Sequence, residues 1–532
     1  PGGTLDLGTS LTHTFTGVVT LTAGTLNGGS GTLNENSVSA TAWNGNGTLF
    51  NAGTGTVNFG AAGNQTLSAT ATTFNKLTFS NSGVKSFGAV TTINDNFSIS
   101  GTASADLGTF TSSSNTLTLG GIGQASGSWG SDPASSATNK NSTYFGTTAT
   151  GILNVSAGSC VTGTWLGGPN SDWHDVLNWC GGIVPTGSTD VFIPSGGTQP
   201  VIGAAAFCNS IIIGSGASLQ ITGSNTLTVS GSWSNAGSFT ANTSTVIFDG
   251  AAQTMVGASA TTFYNLTLSN SGAKTLTTVP TISNILSMEG TATVSAAPNF
   301  GAAATLQYNT ATARSAGVEW RTPFASTGGV VIANTGTITL IQNKVLNASV
   351  PLTINSGASL SLSTFSLTLN GDLINNGGTI SGSGAVIITG TVAQNIGVFT
   401  TTGLVSMTKT AGTATFTGNV NGGGLTLNGT GGTLNLGTTL THTFTGTWTR
   451  TNGTLDGGSS TLKLGSSISG TGGTFTPGTG TVEYNGAAQT VAALNYYNLT
   501  LSGSGTKTFT TAAAIGNDLS IGSGVVANLG TS

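Results

Sequence analysis

The residue types best suited to chemistry crowd into one stretch, GSCVTGTWLGGPNSDWHDVLNWCGGIVPTGSTDVFIPSGGTQP, at positions 158–200. Three of the eight tryptophans lie here, Trp165, Trp173 and Trp179, beside Asp172, His174, Asp175 and Asp190. Asp172, His174 and Asp175 are oxygen and nitrogen donors of the kind that hold a cation. Their spacing is short, however, and no second histidine follows, so the ligand set is incomplete. Asp172 or Asp175 with Asp190 would supply the paired carboxylates of a glycosidase, but nothing in the spacing supports that pairing. Trp165, Trp173 and Trp179, if exposed, would stack on sugar rings and are the ligand-binding candidates. The structural reading is preferred. In it the tryptophans pack a small core, Pro169, Pro185 and Pro194 fix turns, and a disulfide closes the module.

The chain has three cysteines, Cys160, Cys180 and Cys208. Cys180 and Cys208 are the candidate pair, which implies an oxidising, extracellular setting, and Cys160 is left unassigned. Three lysines recur at one repeat position. FNKLTFSNSGVKSF, FYNLTLSNSGAKTL and YYNLTLSGSGTKTF place Lys85, Lys274 and Lys507 each 11 residues after the leading aromatic. A crosslink or specific contact is one reading. A solvated turn lysine that blocks edge pairing is the preferred one. His13 and His442 also fall at equivalent positions, in LTHTFTG, and read as a recurring strand position. GxSxG, HExxH, Walker A and CxxC are absent, as is the calcium-binding nonapeptide of β-rolls. No cofactor is indicated; Ca2+ is compatible with such a chain but has no motif here.

Composition says which elements must position these residues. The 532 residues include 84 Gly, 98 Thr and 61 Ser, nearly half the chain, and only 5% are charged. Apolar residues are too plentiful, and the net charge of −4 too small, for disorder driven by charge. Gly has no three-residue period, which excludes collagen. The 11 basic residues are scattered, which argues against nucleic acid as a partner. No apolar run reaches the 18 residues of a membrane span. Short strands separated by Gly-, Asn- and Ser-rich turns remain.

Repeats organise those strands. GGTLDLGTSLTHTFTG at 2–17 returns as GGTLNLGTTLTHTFTG at 431–446, identical at 14 of 16 positions. Residues 431–532 restart what 1–110 began, so the expected organisation is solenoid at 1–157, the Trp/Cys junction at 158–200, solenoid at 201–430 and the restarted repeat at 431–532. Both ends fall in mid-repeat, which reads as a window on a longer array. A shorter period is nested inside: Leu434, Leu455 and Phe475 are spaced by 21 and 20, and Leu5, Leu26 and Phe50 by 21 and 24. Alternating triplets such as Leu-Thr-Leu lie between, the mark of strands with one face buried. A unit of about 20 residues buries its apolar face only by stacking, as in a parallel β-helix or β-solenoid. Tandem β-sandwiches are the alternative, but they would repeat near 100 residues. About 25 rungs at about 4.8 Å each would make a rod on the order of 120 Å long.

The segments WLGGPNSDWHDVLNWCGGIVPTGSTDVFIP, ASLQITGSNTLTVSGSWSNAGSFT, STVIFDGAAQT and LQYNTATARSAGVEW together resemble very large repetitive surface proteins of Bacteroidota. The resemblance covers most of the chain. It implies β-helical repeats, export by type IX secretion to the cell surface, and a role as adhesin or filament in attachment, gliding or cell–cell contact. It brings no catalytic residues. The expected function is therefore a structural stalk or fibre segment and not an enzyme. Its expected partners are further copies of its own array in a homo-oligomeric fibre, and cell-surface glycans or other cells. A carbohydrate-binding module using the Trp-rich segment is the alternative, and a β-helical polysaccharide-degrading enzyme the third reading.

Overall fold

The computed structural model describes residues 2–530 apart from 40, 46, 68, 69 and 169. Pro169, Pro1 and Ser532 thus lie outside the described residues. The chain is an all-β parallel solenoid, with two 3-10 turns as its only helical elements among the described residues. It divides into two compact units, Pro1–Leu227 with Ser234–Thr240, and Thr228–Trp233 with Ala241–Ser532.

In the first unit, strands Thr12–Phe15, Thr32–Glu35, Thr56–Phe59, Lys76–Phe79, Thr91–Ile99 and Thr111–Leu119 stack in parallel. Register places Leu33 on Val57, Val57 on Leu77, Leu77 on Phe97 and Phe97 on Leu117. All five are buried, while the Thr and Asn between them face outward. Each such side chain removed from water contributes about 1.5–3 kcal/mol. Two further sheets complete the rungs, one through Val19–Leu21, Thr41–Gly45, Gln65–Leu67, Ser82–Phe87 and Thr102–Asp106, the other through Thr4–Asp6, Thr25–Asn27 and Phe50–Asn51. Leu5, Leu26 and Phe50 are direct register partners, so the short period read from the sequence is the rung.

The ladder of the first unit is interrupted after Leu119. Gly127–Gly130 runs antiparallel to Ile152–Val155, which itself rejoins Thr111–Leu119 in parallel. The Trp/Cys segment follows with isolated bridges and one 3-10 turn, Val176–Asn178. Parallel pairing resumes at Val191–Ile193, stacked on Ile211–Ile213.

The second unit repeats the scheme. Val246, Leu266, Leu286, Leu306, Val330, Leu352 and Leu373 form one inward column through successive parallel pairs. Leu434, Leu455 and Phe475 are again register partners, and Leu462, Val482 and Leu499 form a second column in another sheet of the restarted repeat. Its corners need glycine. Gly458 and Gly478 have φ of +54° and +59°. A Cβ on Gly478 would sit 2.1 Å from the carbonyl oxygen of Gly458, whose own Cβ would sit 2.1 Å from that of Gly437. Stacked left-handed corners therefore require glycine twice over, for φ and for space.

Candidate functional sites

The Trp/Cys module turns its rings inward. Trp165, Trp173 and Trp179 are all buried, and Trp179 meets the other two edge-to-face at 5.0 and 4.7 Å. Trp165 Nε1 donates to the Thr198 carbonyl at 2.6 Å and Trp179 Nε1 to the Trp173 carbonyl at 2.6 Å. No ring face is left open to a sugar, so the stacking expected of these three residues has no surface to act through.

The disulfide is Cys160–Cys180, with Cα atoms 5.9 Å apart, not the expected Cys180–Cys208. The reason is local. Cys180 follows Trp179, which bridges antiparallel to Trp165, and Cys180 N–H donates to the Thr164 carbonyl at 2.9 Å. That brings Cys180 beside the chain leaving Cys160. Cys208 instead lies on the strand Ala206–Cys208, where alternation turns it into the solenoid core and Phe207 outward.

The acids of this segment shape turns. Asp172 Oδ1 accepts from the His174 amide at 2.9 Å, and Asp175 Oδ1 from the Leu177 amide at 2.9 Å, capping the 3-10 turn. Asp190 Oδ1 accepts from Asn209 Nδ2 at 2.8 Å and from the Ser210 amide at 3.1 Å. His174 Nε2 lies 3.0 Å from the Ala205 carbonyl, and its Nδ1 lies 3.6 Å from Asp172 Oδ1. Among the described residues no group of three or more His, Cys, Asp and Glu side chains is arranged to hold a metal ion.

The recurring lysines are the larger departure from expectation. Lys85, Lys274 and Lys507 are not solvated turn residues; all three are buried, as are Lys344 and Lys409. Lys85 Nζ donates to the carbonyls of Ala61 and Gly63 at 2.7 and 2.8 Å and to Gln65 Oε1 at 2.7 Å. Lys507 Nζ does the same with Gly486, Ala487 and Gln489 Oε1, at 2.6, 2.7 and 2.6 Å. Lys274 bonds Gly250 and Gln253, and Lys409 bonds Val392 and Gln394. Each glutamine amide in turn reaches a carbonyl about one rung further back, Gln65 to Glu35 and Gln253 to Val229. One Gln–Lys pair thus ties three successive rungs at a corner. Register explains the burial: Lys85 stacks on Gln65, Lys274 on Gln253 and Lys507 on Gln489 at inward positions of parallel strands. Burial pushes Lys85 and Lys344 down to about 8 and lowers Lys274, Lys409 and Lys507 as well. Lys344 has no glutamine partner of this kind and donates to the Gly317 and Trp320 carbonyls at 3.2 and 2.5 Å. The glutamines were visible in the repeated GAAxQT-type blocks that precede the lysines.

Two histidines repeat a single contact. His13 Nε2 lies 2.8 Å from the Leu7 carbonyl and His442 Nε2 lies 2.8 Å from that of Leu436. Burial lowers the pKa of His442, and its Nδ1 accepts from the Val420 amide at 3.1 Å. Glu35 occupies a core position one rung from Phe59. Its Oε1 accepts from the Ser37 amide at 3.0 Å, its Oε2 has no hydrogen-bond partner among the described residues, and burial pushes the carboxyl up to about 7. Within LQYNTATARSAGVEW, Tyr308 donates to Glu319 Oε1 at 3.0 Å and Arg314 approaches the same oxygen at 3.6 Å, forming a buried polar knot.

No curated protein and no solved structure matches the chain. Residues 164–284, from the first buried tryptophan of the module through the Gln253–Lys274 pair, match the model of a protein family described as a domain of unknown function (DUF8693).

Proposed function

We propose that this chain is a structural stalk or fibre segment of a large extracellular surface adhesin or filament, acting in attachment, gliding or cell–cell contact. The observation that carries the reading is the stacking of each unit. Outside the interruption in the first unit, successive rungs bond their neighbours through parallel backbone ladders and inward apolar columns, so a unit lengthens by adding rungs without a new fold. The Gln–Lys corners support the same reading, because they join consecutive rungs where turns would otherwise leave carbonyls unbonded. The Cys160–Cys180 disulfide favours an oxidising compartment outside the cell. A low-charge surface repels little and suits lateral association with further copies into a homo-oligomeric fibre. Small-angle scattering of the full chain should give an elongated particle with a maximum dimension on the order of 100 Å or more for stacked rungs. A compact sphere would overturn the reading.

A further inference from the structure

The interruption of the ladder in the first unit creates the feature with most to offer a ligand. Residues 122–151 leave the parallel ladder before Ile152–Val155 rejoins it, and part of this excursion lies near the start of the Trp/Cys module. Between them lies a half-open cavity of about 270 Å³. Trp129, Leu166 and Leu177 form its apolar wall, and Asp132, Asn139 and Lys140 stand on its polar rim. Leu177 is 44% exposed, so part of that wall is uncovered.

Three observations distinguish this cavity from a packing fault. Only 5% of the chain is charged, yet an acid and a base line one small cavity. The two do not pair with each other: the Asp132 carboxylate has no ion pair or hydrogen bond among the described residues, and Lys140 Nζ reaches only the Pro133 carbonyl, at 3.3 Å. Asn139 is held by its Nδ2, which donates to the Ser128 carbonyl at 3.3 Å, leaving its Oδ1 as an acceptor. The side chains are therefore positioned, and their hydrogen-bonding capacity is unspent.

The chemistry fits one class of ligand. A carboxylate accepts from two neighbouring hydroxyls, an ammonium donates to a hydroxyl or ring oxygen, and an amide completes the set. An apolar wall covers the C–H face of a pyranose. A zwitterionic amino acid would satisfy the two charges, but the rest of the rim is neutral amide and hydroxyl, which matches a polyhydroxylated ligand better. We infer that this cavity binds a single saccharide unit, free or at the end of a glycan. The site differs from the buried Trp165, Trp173 and Trp179. It would give the adhesin reading a ligand, yet it rests on the cavity and not on that reading.

The test is a glycan array of neutral and acidic mono- and oligosaccharides probed with the full chain, followed by calorimetric titration of the best hit. Asp132→Ala and Lys140→Ala each lie on partly exposed residues and should weaken binding at least tenfold with unchanged thermal melting. Leu177→Ala should weaken it through the apolar wall. An array without hits, binding that survives both charge variants, or capture of free amino acids in place of saccharides would each overturn the proposal. An elongated particle that binds no saccharide would leave the stalk reading standing and sink this one alone.

Discussion

At the scale of residues, the notable feature is that five of the eight lysines, Lys85, Lys274, Lys344, Lys409 and Lys507, are buried. Lys85 illustrates the balance. Lowering its pKa from 10.5 to about 8 corresponds to a desolvation cost of about 3 kcal/mol. Three hydrogen bonds, to the Ala61 and Gly63 carbonyls and to Gln65 Oε1, offset part of it. Lys85→Met should therefore destabilise the first unit by about 2 kcal/mol or more, because it strands the Ala61 and Gly63 carbonyls and Gln65 Oε1 in a dry corner. Denaturant titration reads this directly, and an unchanged midpoint would show the lysine to be passive. Glu35 makes a prediction of opposite character. Its folded-state pKa, about 7, exceeds the ordinary value of 4.5, so its contribution is fully present below pH 4.5 and fades as pH rises through 7. The stability difference between the wild type and Glu35→Gln should shift by up to about 3 kcal/mol across that window. A difference that is flat in pH would mean that the carboxyl is solvated.

At the scale of elements, the Trp/Cys module is a knot of short-range constraints where the ladder stops. Its acids cap turns, its rings fill one small core, and its disulfide closes a 20-residue separation. Closing a loop of that length is worth about 3 kcal/mol. Non-reducing peptide mapping should recover Cys160 joined to Cys180, with Cys208 outside the linkage. A Cys180–Cys208 peptide would contradict the structure. The pairing shows why sequence spacing misleads for disulfides. Cys208 is in the right neighbourhood by count, but period-2 alternation sends it into the solenoid core, whereas the antiparallel bridge of Trp165 and Trp179 carries Cys180 back to Cys160.

At the scale of the molecule, the parallel rungs within each unit behave as a one-dimensional stack. Stability then comes from each rung and its two interfaces, and whole rungs are interchangeable where fractions are not. Leu352 and Leu373 are register partners one rung apart in the second unit. Deleting residues 352–372 should preserve strand content and cooperative unfolding, since Leu373 takes the place of Leu352 on Val330. Deleting 352–362 should not, because it offsets the faces and turns apolar columns outward. Far-ultraviolet circular dichroism with thermal melting separates the two outcomes, and equal behaviour of both deletions would contradict a register-locked stack.

The division between sequence and tertiary structure follows from range. Alternation and the periods near 20 residues are local, and they sufficed for the all-β class, the parallel stacking and the register: Leu5, Leu26 and Phe50 are partners, as are Leu434, Leu455 and Phe475. The recurrence of Lys85, Lys274 and Lys507 was equally legible, but their environment was not. Lysine in a Gly-rich turn looks solvated until parallel register stacks it on a glutamine and faces it with carbonyls from other rungs. The inward rings of Trp165, Trp173 and Trp179, the Cys160–Cys180 bond and the cavity beside Asp132 and Lys140 were likewise decided by tertiary structure. Each depends on which way a strand edge faces and on which distant segment returns to it, and a one-dimensional pattern carries neither.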